Sequence, residues 1–219
     1  MRERFTALLG FGLLAFTSAG FAQQYNMELT SPGNGTVADG VYVSPYAGTI
    51  QGNGINYAGA MICDDFDTES YLYKPWTATM TTAGALNGAE KFNSAVVFNG
   101  QVYTAQQAYD AAGWLANGLL ANLNNTTTQT NYAFAIWDIF DGQKTDPDGG
   151  ALALESAAFS AASKDYVASN VSVFTPNPLN ASQEFLVVNA APEIDPSRGA
   201  SALTLLLGAA LVLRARRAG

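Results

Sequence analysis

The chain has 219 residues, a formal net charge of −8 and no histidine. Without histidine, Ser-His-Asp and Cys-His nucleophilic mechanisms, histidine-ligated zinc and the usual neutral-pH base are all excluded. Between Gln23 and Ala191 four lysines face fifteen acidic residues, a net charge of −11, which argues against nucleic acid as a partner and suits an exterior protein kept dispersed by self-repulsion.

In chain order, Arg2 and Arg4 precede an apolar stretch from Phe5 to Phe16, and Gly20 and Ala22 stand at −3 and −1 of a cleavage after Ala22. That is the anatomy of a secretory signal peptide, so residues 1–22 are set apart from the fold. What remains before the tail is about 170 residues, enough for a single domain over 23–189.

Gly40 to Ile50 and Tyr57 to Phe66 are rich in Val, Tyr and Ile and flank Gln51-Gly52-Asn53-Gly54, which predicts a hairpin. Glu69 to Tyr73 and Trp76 to Met80 continue the strand pattern around Pro75. Ala95 to Phe98 and Gln101 to Tyr103 flank Asn99-Gly100, the dipeptide best suited to two positive φ angles, and predict a second hairpin.

The period then changes. Thr104 and Gln107 have capping-box spacing, and Ala105, Ala108, Tyr109, Ala112, Ala116, Leu119 and Leu123 recur at helical intervals. A second helix is expected over about Asn131 to Phe140, ended by Asp141-Gly142, and a third, Ala-rich helix over Leu152 to Ala168, with Asp148 a candidate cap. Val171 to Phe174 and Glu184 to Val188 return to strand pattern and are expected to rejoin the first sheet. The expected class is α+β, with an antiparallel, sandwich-like first half, a three-helix middle, closing strands and a C-terminal hydrophobic helix.

The tail, residues 190–219, has three parts. Pro192-Glu193-Ile194-Asp195-Pro196 is followed by an apolar run from Ala200 to Leu213 and then by Arg214, Arg216 and Arg217. A helix over that run covers only roughly 21 Å of a hydrocarbon core about 30 Å thick, a marginal anchor, and the arginines favour the cytoplasmic side. Together with the signal peptide, this tail resembles the PEP-CTERM sorting domain of bacterial surface and exopolysaccharide-associated proteins, which is read by a membrane peptidase called exosortase. The resemblance implies that Pro192 and Glu193 form the recognition motif and that the tail is removed during sorting. Ile194 departs from the family's Pro-Glu-Pro triplet, and the next proline is Pro196.

Chemistry-bearing residues in the body are few. No Gly-rich phosphate loop, nucleophile elbow or nucleotide fingerprint occurs. Cys63 is the only cysteine, hence either a buried inert thiol or a reactive one. Met61-Ile62-Cys63-Asp64-Asp65-Phe66 and the helical Tyr132-Ala133-Phe134-Ala135-Ile136-Trp137 resemble, over residues 40 to 141, the thioester-type domains of bacterial surface adhesins. In that family a Cys and a Gln side chain form an internal thioester that captures an amine. Here Ala133 stands where the family's Gln would be and Gln129 lies a helical turn away, so no acyl donor faces Cys63 and a buried structural thiol is the favoured reading.

Two acidic groups are candidates for Ca²⁺, which takes six to eight oxygen ligands. In an extended strand Asp65, Asp67 and Glu69 would share a face with Asp64 on the other, but a solvated edge that discourages strand aggregation is favoured. Asp138, Asp141, Asp146 and Asp148, ending in Gly149-Gly150, are oxygen-rich yet lack EF-hand spacing, so a polar loop between helices is favoured. Paired carboxylates also admit a small polysaccharide hydrolase, with Asp65 and Asp138 the acids to test.

The sequence therefore points to an exported, non-enzymatic protein of the cell envelope or extracellular matrix, with no other cofactor. Its expected partners are the export machinery, an exosortase-like peptidase, the membrane through the tail, and exopolysaccharide or another envelope component. The alternative of a different class is an adhesin or carbohydrate-binding module, and the hydrolase stands third.

Overall fold

Alternation of apolar and polar side chains sets the first strand. In β1 (Gln24–Ser31) Tyr25, Met27 and Leu29 are buried while Gln24 and Asn26 face outward, the period-two pattern of a strand with one wet face. The computed structural model that shows this describes residues 23–142 and 149–189. The expected signal peptide, Asp146, Asp148, the expected sorting motif, the apolar run and the terminal arginines lie outside the described residues.

A short hairpin follows, β2 (Val37–Ala38) with β3 (Val41–Tyr42), turning through Asp39 and Gly40 at φ 47° and 83°. It takes up the beginning of the first arm expected from Gly40, so that arm starts instead at β4 (Tyr46–Gly52). β4 pairs with β5 (Ile55–Cys63) through Asn53-Gly54 at φ 48° and 82°, the two left-handed residues of a type I′ turn. β5 stops at Cys63, and Glu69 to Tyr73, expected as strand, is loop. β6 (Trp76–Thr82) is next, then the second hairpin, β7 (Val96–Phe98) and β8 (Gln101–Tyr103), turning through Asn99-Gly100 as expected.

α1 (Ala105–Ala121) begins with the anticipated capping box of Thr104 and Gln107. α2 (Thr126–Asp141) starts earlier than its apolar pattern because Asn125 caps it, accepting the Thr128 N–H at 3.0 Å, and it ends at left-handed Gly142. α3 (Gly150–Ala162) is shorter than expected. Beyond it Asp165 takes φ 68°, which a helix cannot continue through, and the Ala168 N–H is held at 2.8 Å by Asp110 Oδ1 of α1. β9 (Val171–Pro176) and β10 (Phe185–Val188) close the chain.

The strands do not form a sandwich. They form a closed antiparallel barrel in the order β1-β4-β5-β10-β9-β6, with β6 returning to β1. β2-β3 and β7-β8 stand apart as two-stranded sheets. The closing strands thus do rejoin the first sheet, and closure removes the unpaired edges of an open sheet. The class is α+β, with three helices among the described residues.

The helices pack on one another and α1 lies on β10. That places apolar contacts on both faces of the closing strands, so β9 is buried along its whole length and β10 nearly so. Close approach is enforced by small residues. A Cβ on Gly113 of α1 would sit 2.4 Å from the Ala168 Cβ, and one on Gly48 of β4 would sit 2.7 Å from the Glu28 carbonyl oxygen of β1.

Candidate functional site

Because β5 ends at Cys63, the chain from Asp64 onward leaves the barrel as a loop running to Pro75. The loop's root is buried and its tip is not. Asp64 and Asp65 are fully buried, whereas Phe66, Tyr71, Leu72 and Tyr73 are exposed, Tyr73 most of all at 69% and with a left-handed φ of 60°. The loop is tied down along its length, Ser70 Oγ accepting the Gln183 N–H at 2.9 Å and the Tyr73 N–H reaching the Leu29 carbonyl at 2.8 Å, and exposed aromatics on a held loop are a common platform for recognition.

Trp137 of α2 fixes the floor beside this loop. Its Nε1–H donates to the Cys63 carbonyl at 3.0 Å, and its ring lies 5.3 Å from Phe66 on one side and 5.3 Å from Phe134 on the other. Tyr42 of the small hairpin meets Tyr46 edge to face at 6.4 Å, and Tyr46 in turn meets Phe185 at 6.1 Å. Burial, then the neighbouring Cys63 and Tyr42 groups, pushes the Tyr46 hydroxyl up to about 12, so it stays a neutral hydrogen-bonding group.

These aromatics enclose an open groove of about 280 Å³, walled by Tyr42, Tyr46, Phe66 and Trp137 and edged by Thr68, Glu69, Ser70 and Gln183. Glu69 is the one carboxylate among the lining residues, and it accepts the Tyr71 hydroxyl. Aromatic walls with polar residues along the edge suit a small polar ligand, and two of those polar groups are also tied into the fold, Ser70 Oγ lying 2.6 Å from Ser182 Oγ and Gln183 Nε2 donating to the Asp65 carbonyl at 2.8 Å. Neither the groove nor Tyr42 and Gln183 stood out in the sequence, and Phe66 did so only as the end of the Cys63 motif. The available signal was the density of aromatics over Phe66 to Tyr73 in a segment closed by Lys74-Pro75.

Beneath the groove a void of about 10 Å³ is bordered by Cys63, Tyr46, Ala133 and Trp137, room for about one water and no more. Cys63 and Ala133 are thus brought together, with a methyl group where a carboxamide would be needed for an acyl link. Gln129 is turned elsewhere, its Oε1 accepting from Asn34 Nδ2 at 3.1 Å. The Cys63 thiol is buried, with Sγ 3.2 Å from the Asp65 carbonyl. Burial first, then the charge of Asp64, pushes the thiol well above its ordinary value, which leaves little of the reactive thiolate.

The acid group is not the solvated strand edge expected from the sequence. Alternation fails because the strand has already ended. Asp67 and Glu69 are exposed while Asp65 turns inward to an ion pair with Lys91. Lys91 Nζ also donates to Thr68 Oγ1. The Glu184 N–H reaches Asp65 Oδ2 at 3.3 Å, and its carboxylate accepts the Lys91 N–H at 2.9 Å, the Tyr109 hydroxyl and the Thr175 hydroxyl. Neither carboxyl oxygen of Asp64 meets a donor from another described residue. Burial, followed by the charges of Glu184 and Asp65, pushes the Asp64 carboxyl well above the usual carboxylate range, and burial raises Glu184 in the same direction.

Asp65, Asp67 and Glu69 therefore do not converge on one point. Among the described residues no group of three or more His, Cys, Asp or Glu side chains is arranged to hold a metal ion. Asp141 closes α2. Among the described residues, too, no helix is long and apolar enough to cross a membrane.

No family model, curated protein or solved structure matches this chain.

Proposed function

We propose that the chain is an exported, non-enzymatic protein of the bacterial cell envelope or matrix. In this reading residues 1–22 direct export, the tail from Pro192-Glu193 to the Arg214, Arg216 and Arg217 cluster is read by an exosortase-like peptidase, and the body binds a glycan.

The observation that carries the binding part is the groove of Tyr42, Tyr46, Phe66 and Trp137. Sugar rings present flat C–H faces and a rim of hydroxyls, and the groove pairs aromatic walls, of which Tyr42 and Phe66 are the exposed ones, with the polar lining residues Thr68, Ser70, Glu69 and Gln183. Binding is favoured over hydrolysis because glycoside cleavage uses two carboxyl groups about the scissile bond, whereas Glu69 is the single acid lining the groove. Asp65 and Asp138, the acids singled out for a hydrolase, are buried. The acidic body adds long-range repulsion from anionic surfaces, so a neutral or cation-bridged polysaccharide is the better ligand.

Two measurements test the reading. The purified full chain is expected to be retained on exopolysaccharide isolated from the producing bacterium, without release of reducing ends; flow-through of the whole sample would refute glycan binding. Mass spectrometry of the mature protein is expected to place its C-terminus near Pro192-Glu193, and an intact tail ending at Gly219 would refute sorting by cleavage.

A further inference from the structure

The groups behind the groove form a closed set that glycan binding does not use. Asp65 is fully buried, Lys91 lies 26 positions later with its side chain 20% exposed, and the two form an ion pair. Taking such a pair out of water is costly. The unusual feature is that both partners are gripped from the same residue. The backbone N–H of Glu184 reaches Asp65 Oδ2 at 3.3 Å, while the Glu184 carboxylate takes the backbone N–H of Lys91 at 2.9 Å. Glu184 is itself held by the Tyr109 and Thr175 hydroxyls. Asp65 Oδ1 meets no donor among the described residues, so the carboxyl group is held through one oxygen only.

We propose that Lys91 and Asp65 condense into an intramolecular amide, a covalent cross-link between the end of β5 and the segment preceding β7. The ammonium of Lys91 gives one proton to Asp65 Oδ2, and the freed Nζ lone pair forms a bond to the Asp65 carboxyl carbon. A second Nζ proton passes to the same Oδ2. The carbon–Oδ2 bond breaks and Oδ2 leaves as water; Oδ1 becomes the amide carbonyl, and one hydrogen stays on nitrogen. Charge and atoms balance with no added reactant: one ammonium and one carboxylate become one neutral amide and one water.

The site favours that exchange. Held reactants convert a bimolecular condensation into an intramolecular one, and replacing a desolvated ion pair by a neutral amide removes the cost of keeping two charges dry. Glu184 acts as a positioning residue, since it fixes the nucleophile's backbone and the electrophile's side chain together. The Phe92 ring, 5.6 Å from Lys91 Nζ, covers the amine's other side.

The test is mass spectrometry of the folded full chain before and after trypsin. The expected intact mass is one water below the residue sum for its observed termini, and the expected digest contains a branched species joining the Asp65 fragment to a Lys91 fragment left uncut at that lysine. Lys91→Arg is expected to restore the full mass. Glu184→Ala is expected to lower the linked fraction several-fold, with Glu184→Gln restoring part of it. A wild-type chain at full mass, or one lacking a water but cleaved normally after Lys91, would overturn the cross-link; a fully linked Glu184→Ala chain would overturn the part assigned to Glu184.

Discussion

Asp64 is the residue whose environment makes the sharpest demand. A carboxyl group buried without a donor from another residue is stable only when neutral, and burial together with Glu184 holds its proton on. Such a group binds its proton more tightly in the fold than in the unfolded chain, whose carboxyl titrates near pH 4. Its contribution is therefore complete below about pH 4 and is lost as pH rises toward the higher folded value. Urea midpoints are expected to fall between about pH 5 and pH 8, and Asp64→Asn to flatten much of that slope; a pH-independent midpoint in the wild type would contradict the burial of a neutral acid. Cys63 makes the complementary demand. Its thiol, buried and pushed up, is expected to resist a thiol-reactive dye in the native chain and to react fully in denaturant, and stoichiometric native labelling would contradict its burial. Cysteine count and the missing acyl donor were readable from the sequence. The inward turn of Asp65 was not, because its partners Lys91 and Glu184 stand 26 and 119 positions away and no local period links them.

Elements were legible where the chain carries its own local chemistry. Asn53-Gly54 and Asn99-Gly100 take the paired positive φ angles that their side chains tolerate, and Thr104 with Gln107 closes the capping box. Elements whose bounds come from distant contacts were displaced. The far end of α3 is set by Asp165 and by Asp110 reaching across from α1, and β1 hid in a polar-looking segment just after the expected cleavage site although Tyr25, Met27 and Leu29 alternate correctly. Helix packing gives a prediction in which two effects oppose each other. Replacing Gly113 by Ala inside α1 gains about 1 kcal/mol of helix propensity, but the new Cβ would lie 2.4 Å from the Ala168 Cβ on a loop pinned to Asp110. Overpacking of that kind costs about 1–3 kcal/mol. Gly113→Ala is expected to lower stability in chemical denaturation, and a stabilised variant would show that the loop yields.

On the scale of the molecule, barrel closure could not be read from strand patterns, since a sandwich and a barrel share the same alternation and differ only in whether β6 finds β1 and β9. Closure matters for the site because it brings the end of β5, the start of β10 and the loop at Lys91 to one place, with α2 laid over them so that Trp137 reaches the Cys63 carbonyl. The groove is what that arrangement exposes. Its proposed role as a glycan site is the central claim, and Tyr42 tests it well because the residue is 43% exposed and sits on a small hairpin outside the barrel, where truncation is expected to leave the core intact. The decisive measurement compares retardation of the wild-type chain and Tyr42→Ala in gels containing exopolysaccharide isolated from the producing organism. Loss of one stacking ring is worth roughly 1–2 kcal/mol, so the variant is expected to bind about tenfold more weakly while keeping the wild-type melting temperature. Equal retardation of the two chains, or none of either, would contradict the account.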